Sequence, residues 1–212
     1  MELVQEKSGL GRREARRMDR RDAILAVAGP YFLQHGYAGT TMSAIAAEVG
    51  GSKATLWSYF ASKEELFEAV LDRKTAAYRA ELSLLLDACG NPERTLRSFC
   101  LSYVAKITGP EAIALHRLIY SEVDRFPEIG KIFYERAPLA TWRLVGGFIA
   151  TAMERGLLRE DDPIRAARTL TSLCMSETHQ LLLLGRLREP APERIAADAD
   201  AAMDIFMRAY RP

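Results

Sequence analysis

The segment TTMSAIAAEVGGSKATLWSYFASK, which begins at Thr40, constrains the fold of this chain more than any other. Thr40 and Thr41 are good N-caps for a short helix whose apolar residues recur at helical spacing. Gly50 and Gly51 follow, and glycine readily takes the left-handed conformation at which helices end. Ser52 can then cap a second short helix. Two short helices joined by a glycine turn predict a helix-turn-helix, whose second helix can enter the major groove of DNA.

The outward positions of the second helix suit contact with DNA. They carry a cation, two hydroxyls and an indole N–H, at Lys53, Thr55, Ser58 and Trp57. The stretch from the glycine turn to Lys63 contains no Asp or Glu. Lys63 follows the helix-capping Ser62, where the helix dipole disfavours a cation unless a phosphate approaches. Taken singly, Lys53 and Lys63 can equally be solvated surface charges, but the whole pattern favours DNA.

We therefore predict a set of DNA-binding residues along this segment. The set is Thr40, Thr41, Met42, Ser43, Ser52, Lys53, Ala54, Thr55, Trp57, Ser58, Tyr59 and Lys63. The residues expected to meet groove edges are Lys53, Thr55, Trp57 and Ser58. The residues expected to hold phosphates are Thr40, Thr41, Tyr59 and Lys63.

Residues 24–71 resemble the DNA-binding domain of the TetR (tetracycline repressor) family of transcriptional regulators. The matching residues are Gln34-His35-Gly36-Tyr37, Thr40-Thr41, Ile45-Ala46, Ser52-Lys53, Thr55-Leu56, Tyr59-Phe60 and Ser62-Lys63-Glu64. The sequence departs from the family at Ala54 and Trp57, where glycine and tyrosine are usual, so the groove contacts are expected to differ in detail. Residues 117–138 also resemble the C-terminal region of an AefR-like subgroup.

Charge is distributed unevenly along the chain. Residues 1–63 hold nine Lys and Arg against six Asp and Glu, a net charge of +3, whereas the remaining residues hold 20 and 22, a net charge of −2. The basic run over residues 12–21 is either an arm that reaches phosphates or the minor groove, or a solvated helix start with local acid pairing. Residues 1–15 are predicted to be a disordered basic arm.

The rest of the chain predicts an all-α fold. Apolar residues recur at three- and four-residue intervals, with breaks at Cys89-Gly90-Asn91-Pro92, Gly109-Pro110, Phe126-Pro127 and Asp162-Pro163. One continuous helix is expected over residues 163–187, whereas Pro30 and Pro138 are expected to kink or split theirs. We predict a helix-turn-helix domain over residues 16–62 and a larger helical ligand-binding and dimerisation domain over residues 63–212.

The last two predicted helices carry Leu-rich and Ala-rich faces that suit close helix packing. The resemblance implies that two such helices from each subunit form a four-helix dimer interface. The predicted interface residues are Leu170, Cys174, Leu181, Leu184, Ala202 and Phe206. Because helical periodicity cannot separate an interface from a core, both faces can instead belong to the interior of one chain.

The middle of the chain is the candidate site for a small molecule, because bundles often bind ligands between helices. The predicted ligand-binding residues are Phe99, Tyr103, His116, Tyr120, Phe133, Trp142, Phe148 and Met175. Each can instead be an ordinary core residue. An effector-independent DNA-binding dimer would have the same first domain and a filled second domain.

An enzyme is the contrasting hypothesis. The sequence contains no GxSxG, HExxH, CxxC or phosphate-cradling glycine loop. Cys174 and His179 lie five residues apart, whereas a spacing of four would place two metal ligands on one face of a helix. We expect no metal site and no cofactor, and keep a helical enzyme with a non-motif site as the less favoured alternative. Three scattered cysteines and a polar N-terminus without a membrane-spanning apolar run indicate the cytoplasm.

These observations predict a homodimeric, sequence-specific DNA-binding transcriptional regulator. The expected partners are double-stranded DNA with a palindromic operator, a second copy of the chain and a small-molecule effector. We expect a repressor that an apolar or amphipathic effector releases from its operator.

Overall fold

The structure, a computed structural model, describes the backbone of residues 2–86 and 91–212, and the side chains of residues 14–86 and 91–212. These residues form helices α1 (Glu2–Gly39), α2 (Met42–Glu48), α3 (Lys53–Tyr59), α4 (Lys63–Leu85), α5 (Pro92–Thr108), α6 (Pro110–Glu122), α7 (Pro127–Arg136), α8 (Pro138–Glu154), α9 (Pro163–Cys174), α10 (Thr178–Leu183) and α11 (Pro192–Tyr210). No strand occurs in the described ranges. The predicted all-α fold is therefore confirmed.

Side-chain caps fix where the helices of the first domain begin. Thr41 accepts the Ala44 N–H at 3.1 Å at the start of α2, and Ser62 accepts the Glu65 N–H at 3.1 Å at the start of α4. Such caps satisfy amides that have no partner within the helix. Glu65 in turn accepts the Ala61 N–H at 2.7 Å, a variant of the capping box. Hydrogen bonds to nearby side chains therefore fix both helix starts.

Helix α1 departs from two expectations. It runs through Pro30, and the non-helical residue inside it is Gly36, with φ of 75° and ψ of 170°. The break in α1 lies at Gly36, where the positive φ costs little because the residue is glycine. The backbone of residues 2–15 is helical where the sequence predicts disorder, because extending an existing helix gains one hydrogen bond per residue.

Two of the predicted later helices are interrupted in the structure. The predicted helix that begins after the break at Phe126-Pro127 is split into α7 and α8 at Pro138, as expected. The predicted continuous helix over 163–187 is wrong: α9 ends at Cys174 and α10 begins at Thr178. The Asp198 carboxylate accepts the Thr178 N–H at 3.0 Å, so a residue of α11 supplies the partner for a helix-start amide. Residues 89 and 90 of the predicted break at residues 89–92 lie outside the described part of the chain.

Buried side chains form two apolar cores. One joins α1, α2, α3 and the first turns of α4 to residues of α6 and α7, among them Leu118, Ile119 and Ile129. The other lies between α4, α5, α8, α9 and α11. The first core thus crosses the domain boundary predicted at residue 62, and α4 contributes to both cores.

The second core corrects the predicted dimer interface. Leu170, Cys174, Ala202 and Phe206 are all buried within one chain, which leaves them no surface for a partner. Leu181 is partly buried and Leu184 is 74 % exposed. The physical reason is that α9 and α11 turn their most apolar faces toward α5 and α8. No described helix is both long enough and apolar enough to cross a membrane.

Candidate nucleic-acid interface and ligand cavity

Helices α2 and α3 are held together by a glycine turn and a small apolar contact. Gly50 has φ of 68°, and the Gly51 N–H donates to the Ala46 carbonyl at 3.0 Å, which closes the end of α2. Ile45 and Leu56 are buried between the two helices. The turn and this contact therefore fix the angle at which α3 protrudes.

The outward face of α3 carries few groups that are free to bond. Lys53, Ala54 and Ser58 are exposed, and Trp57 is 43 % exposed. The Ser58 hydroxyl donates to the Thr55 carbonyl at 2.7 Å, so its oxygen remains as an acceptor. The Lys53 ammonium and the Trp57 indole N–H thus remain as the donors among the predicted groove-contacting side chains.

Ser52 and Thr55 are used mainly inside the protein. The Ser52 hydroxyl accepts the Thr55 N–H at 3.0 Å and lies 2.8 Å from the Thr55 hydroxyl. This arrangement caps α3, whose first turn contains no acidic residue. A helix N-terminus without a nearby carboxylate retains its attraction for phosphate.

Two predicted DNA contacts are wrong. Thr40 is 1 % exposed, and its hydroxyl donates to the Gly36 carbonyl at 2.6 Å. Met42 is 7 % exposed and packs in the first core. The chain enters α2 through Thr41 rather than Thr40, which turns Met42 inward and leaves Thr41 and Ser43 exposed.

Lys63 has a position that the sequence did not indicate. Its ammonium donates to the Tyr37 carbonyl at 2.9 Å and lies 4.0 Å from the centre of the Tyr37 ring. It also lies 5.4 Å from the centre of the Phe126 ring. An ammonium has three donors, so two remain for a phosphate.

Three arginines of α1 pack against the helix-turn-helix. The guanidinium of Arg17 lies 5.8 Å from the centre of the Tyr59 ring, and that of Arg21 lies 5.1 Å from the Phe60 ring. A Cβ atom on Gly51 would lie 2.7 Å from an Arg20 guanidinium nitrogen. Sequence analysis treated these arginines as part of a basic run, although their three- and four-residue spacing is a signal for one helical face.

A separate cavity of ≈ 290 Å³ opens between α6 and the segment around α10. It is lined by Tyr120, Met175, His179, Gln180, Leu183 and Leu184. Behind this lining, the His116 Nδ1 and His179 Nε2 atoms lie 3.2 Å apart. The two imidazoles thus connect α6 to α10 by a hydrogen bond at the wall of the cavity.

Burial sets the protonation of this histidine pair. It lowers the pKa of His116 to about 4, and the nearby His179 ring adds to the effect. Burial also lowers the pKa of His179. Both rings are therefore neutral near neutral pH, as a single N–H···N bond between them requires.

The structure brings only some of the predicted ligand residues together. His116 stacks on Tyr120 with 6.1 Å between ring centres and meets the edge of Phe133 at 5.4 Å. The Tyr103 hydroxyl lies 4.0 Å from the Met175 sulfur. These are two groups of contacts, which reach the lining of the cavity at Tyr120 and at Met175.

The other three predicted ligand residues lie outside the lining of the cavity. Phe99 is fully buried in the second core, where it stacks on Tyr103 with 5.4 Å between ring centres, and Phe148 packs against that core. The Trp142 indole N–H donates to the Thr171 hydroxyl at 2.8 Å, and the Arg168 guanidinium lies 5.1 Å from its ring. The residues that line the cavity but were not predicted, such as Gln180 and Leu183, come from the segment whose helix break sequence analysis missed.

Comparisons with known proteins match both parts of the chain. The family model described as "Bacterial regulatory proteins, tetR family" matches residues 24–70. The model described as "AefR-like transcriptional repressor, C-terminal domain" matches residues 94–212. The first range agrees with the resemblance of residues 24–71, and the second contains residues 117–138, which resemble the AefR-like subgroup.

Individual relatives give the same result. The chain is 30% identical over 159 residues to the HTH-type transcriptional regulator BetI of Rhizobium meliloti, covering 74% of this chain and 73% of that protein. It is 36% identical over 87 residues to the HTH-type transcriptional repressor ComR of Escherichia coli, a match that spans 41% of this chain and only 40% of that protein. The solved structure of the flavonoid-responsive regulator FrrA has a TM-score of 0.72 and 32% identity, covering 92% of this chain and 98% of that one.

Proposed function

This chain belongs to the TetR family of transcriptional regulators and has an AefR-like C-terminal domain, and from that premise we propose that it is a repressor released from its operator by a small molecule. The observation that carries the proposal is the outward face of α3, which presents Lys53 and Trp57 without acidic neighbours in its first turn. Such a face suits the major groove, where bases offer acceptors to a lysine or an indole.

The remaining DNA contacts follow from the position of α3. Lys53, Ala54, Trp57 and Ser58 meet base edges, since they are exposed along one side of the helix. The phosphate contacts fall to the exposed Thr41 and Ser43 near the start of α2, and to the partly buried Tyr59 and Lys63 near the end of α3 and the start of α4. Ser52 and Thr55 position α3 through the cap they form.

The operator is bound by a homodimer, as is usual for this family. A two-fold dimer presents two α3 helices to major grooves about one DNA turn apart, roughly 34–36 Å. We place the interface on the exposed sides of the last helices, where Ile205 is 51 % exposed and Leu184 is 74 % exposed. This surface keeps Leu184 from the interface predicted by sequence and adds Ile205, in place of the predicted residues that are buried.

The effector binds in the cavity beside α10. Its walls combine apolar side chains with the Gln180 amide, the Tyr120 hydroxyl and the His179 ring, which suits an apolar or amphipathic molecule. FrrA is named as responsive to flavonoids, which are aromatic molecules of that amphipathic kind. An effector-independent regulator is the contrasting possibility.

Helix α4 gives the effector a mechanical route to the DNA-binding domain. Leu66 and Phe67 at its start pack in the first core, whereas Leu82 near its end packs in the second. A tilt of α4 would therefore move the two α3 helices of a dimer relative to each other. A ligand shifts this equilibrium only by the difference in its affinity for the two states.

The test begins with selection of a duplex from random sequences at low salt, followed by titration of the selected site. Lys53→Met should weaken binding to that site by about 1–3 kcal/mol, roughly fivefold to 150-fold, and relax specificity at one position. Lys131→Met removes an exposed lysine of α7 and is the matched control for charge. Absence of any bound duplex, or equal affinity of the two variants, would contradict the proposal.

A further inference from the structure

The last residue of α6 makes a contact with the DNA-binding domain that neither the family comparisons nor α4 explains. The Glu122 carboxylate accepts the Tyr37 N–H with Oε1 at 2.8 Å and the Ala38 N–H with Oε2 at 2.6 Å. Both amides follow the break at Gly36, so they lack the carbonyl partners that a continuous helix would supply. A carboxylate that accepts two backbone amides makes two charge-assisted hydrogen bonds.

Gly36 makes this contact possible. Its φ of 75° bends the backbone so that the next two amides point out of α1. A Cβ atom at this position would lie 2.6 Å from the Glu122 Oε1 atom, closer than any ordinary contact. The glycine and the carboxylate therefore form one structural unit, in which the backbone of α1 receives the end of α6.

The bonded segment leads directly into the helix-turn-helix. The Tyr37 carbonyl accepts the Thr40 N–H at 3.3 Å, and the Thr40 hydroxyl donates to the Gly36 carbonyl. The next residue is Thr41, the N-cap of α2. The position of Tyr37 and Ala38 therefore sets where α2, and with it α3, begins.

The other side of α6 is fixed to the cavity wall. Arg117 donates from Nη2 to the Leu182 carbonyl at 2.6 Å and from Nε to the Leu183 carbonyl at 3.1 Å. One residue earlier, His116 is bonded to His179. Six residues of helix, about 9 Å, separate His116 from Glu122. A molecule in the cavity contacts α6 through Tyr120 and α10 through His179, the two helices that these bonds join.

We propose that Glu122 is the positioning residue that transmits occupancy of the cavity to the DNA-binding domain. An occupant that separates α6 from α10 withdraws the Glu122 carboxylate from the Tyr37 and Ala38 amides and frees the start of α2. This inference rests on the proposed function, and it adds a second connection between the domains, independent of a tilt of α4. Since the bonds are charge-assisted, their loss changes equilibria by about tenfold or more.

The first experiment measures hydrogen exchange in the peptide that spans residues 33–42. Glu122→Gln keeps the size of the side chain but turns an NH₂ group toward one of the two amides. Exchange at Tyr37 and Ala38 should rise about tenfold and affinity for the selected duplex should fall about tenfold, without a change in exchange across α8 and α9. Asp124→Asn, an exposed neighbour with the same change of charge, should alter neither.

The second experiment tests the connection to the cavity. Leu183→Trp fills the cavity and serves as a probe in place of an unidentified effector. It should raise exchange at Tyr37 and Ala38 as Glu122→Gln does, and the double variant should bind DNA no more weakly than the weaker single variant. Unchanged exchange in Leu183→Trp, or fully additive losses in the double variant, would overturn the proposal.

Two further outcomes keep the result interpretable. Should Glu122→Gln fail to fold, Glu122→Asp retains the charge but reaches one amide less well, and an intermediate exchange rate is expected; a rate equal to the parent's would count against the proposal. Should the parent bind no duplex, the proposed function fails, whereas the exchange measurements still decide whether Glu122 responds to filling of the cavity.

Discussion

The buried histidine pair predicts a specific loss of stability on acidification. His116 has a pKa of about 4 in the folded chain against 6.5 as its ordinary value. The unfolded chain therefore binds a proton between these two values that the folded chain excludes, so stability falls as pH falls through this interval. The contribution of neutral His116 to the free energy of unfolding is fully present above pH 6.5 and is lost below pH 4.

The magnitude follows from the difference in pKa. Each unit is worth about 1.4 kcal/mol, so the complete loss from His116 is about 3 kcal/mol. Between about pH 7.5 and about pH 5 the loss is about 2 kcal/mol, because much of the interval has then been crossed. His179 changes stability in the same direction, since burial lowers its pKa as well.

Urea denaturation at the two pH values measures this loss, and His116→Gln removes it. Glutamine can still reach His179 but does not titrate, so the variant should lose about 2 kcal/mol less than the parent over the interval. The Glu111 carboxylate, whose pKa is lowered by its hydrogen bond to Lys74, contributes equally in both proteins and cancels.

The control variant is His35→Gln, which removes an exposed histidine of α1 and should keep the pH dependence of the parent. A parent and a His116→Gln variant with equal loss of stability between the two pH values would refute the reasoning. So would a parent that is more stable at the lower pH, because protonation of the buried pair would then favour the folded chain.

Two other perturbations test the cap of α3 and the proposed dimer surface. Ser52→Ala should destabilise the chain by about 1 kcal/mol in urea and weaken DNA binding, because the Thr55 N–H loses its acceptor. Ser58→Ala is the control, and equal stability of the two variants would contradict the role of the cap. Ile205→Glu should sediment as a monomer, since a charge would be buried in the interface, whereas Tyr134→Glu on α7 should not. If the Ile205→Glu variant still sediments as a dimer, Ile205 does not lie in the interface.

The parts of the fold that sequence predicts well are those fixed by local chemistry. The caps at Ser52 and Ser62 and the turn at Gly50 each involve residues within five positions of one another. Such short-range bonds can be read from residue types and spacing alone. The same holds for the split at Pro138, where the missing N–H ends one helix and begins the next.

The parts that sequence misses depend on distant residues. At the break between α9 and α10, the Asp198 carboxylate accepts a hydrogen bond from the Thr178 N–H, although Asp198 lies 20 residues further along the chain. Without it, residues 163–187 are predicted to be one continuous helix, because their apolar periodicity continues across the break. The same limit explains the error at the dimer interface, since the pattern of Leu170 and Phe206 is identical for a core and for an interface.

The DNA interface shows how a shift of one residue changes a predicted site. Thr40 and Thr41 are chemically equivalent as caps, and only the structure shows that Thr41 takes the role. Because each helical residue turns by about 100°, this choice decides that Met42 is buried and Ser43 exposed. Residue types alone could not decide it, because Thr40 is held by the Gly36 carbonyl, whose position depends on the break in α1.

Tyr37 is the point at which both connections to the DNA-binding domain meet. Its amide is bonded to Glu122 of α6, and its carbonyl is bonded to Lys63 of α4. Its ring packs on Phe67 of α4 and on Phe126 beyond α6, and its hydroxyl donates to Glu64. A movement of either helix therefore acts on the same residue, four positions before Thr41, the first cap of the helix-turn-helix. For this reason a tilt of α4 and a withdrawal of Glu122 can reinforce each other.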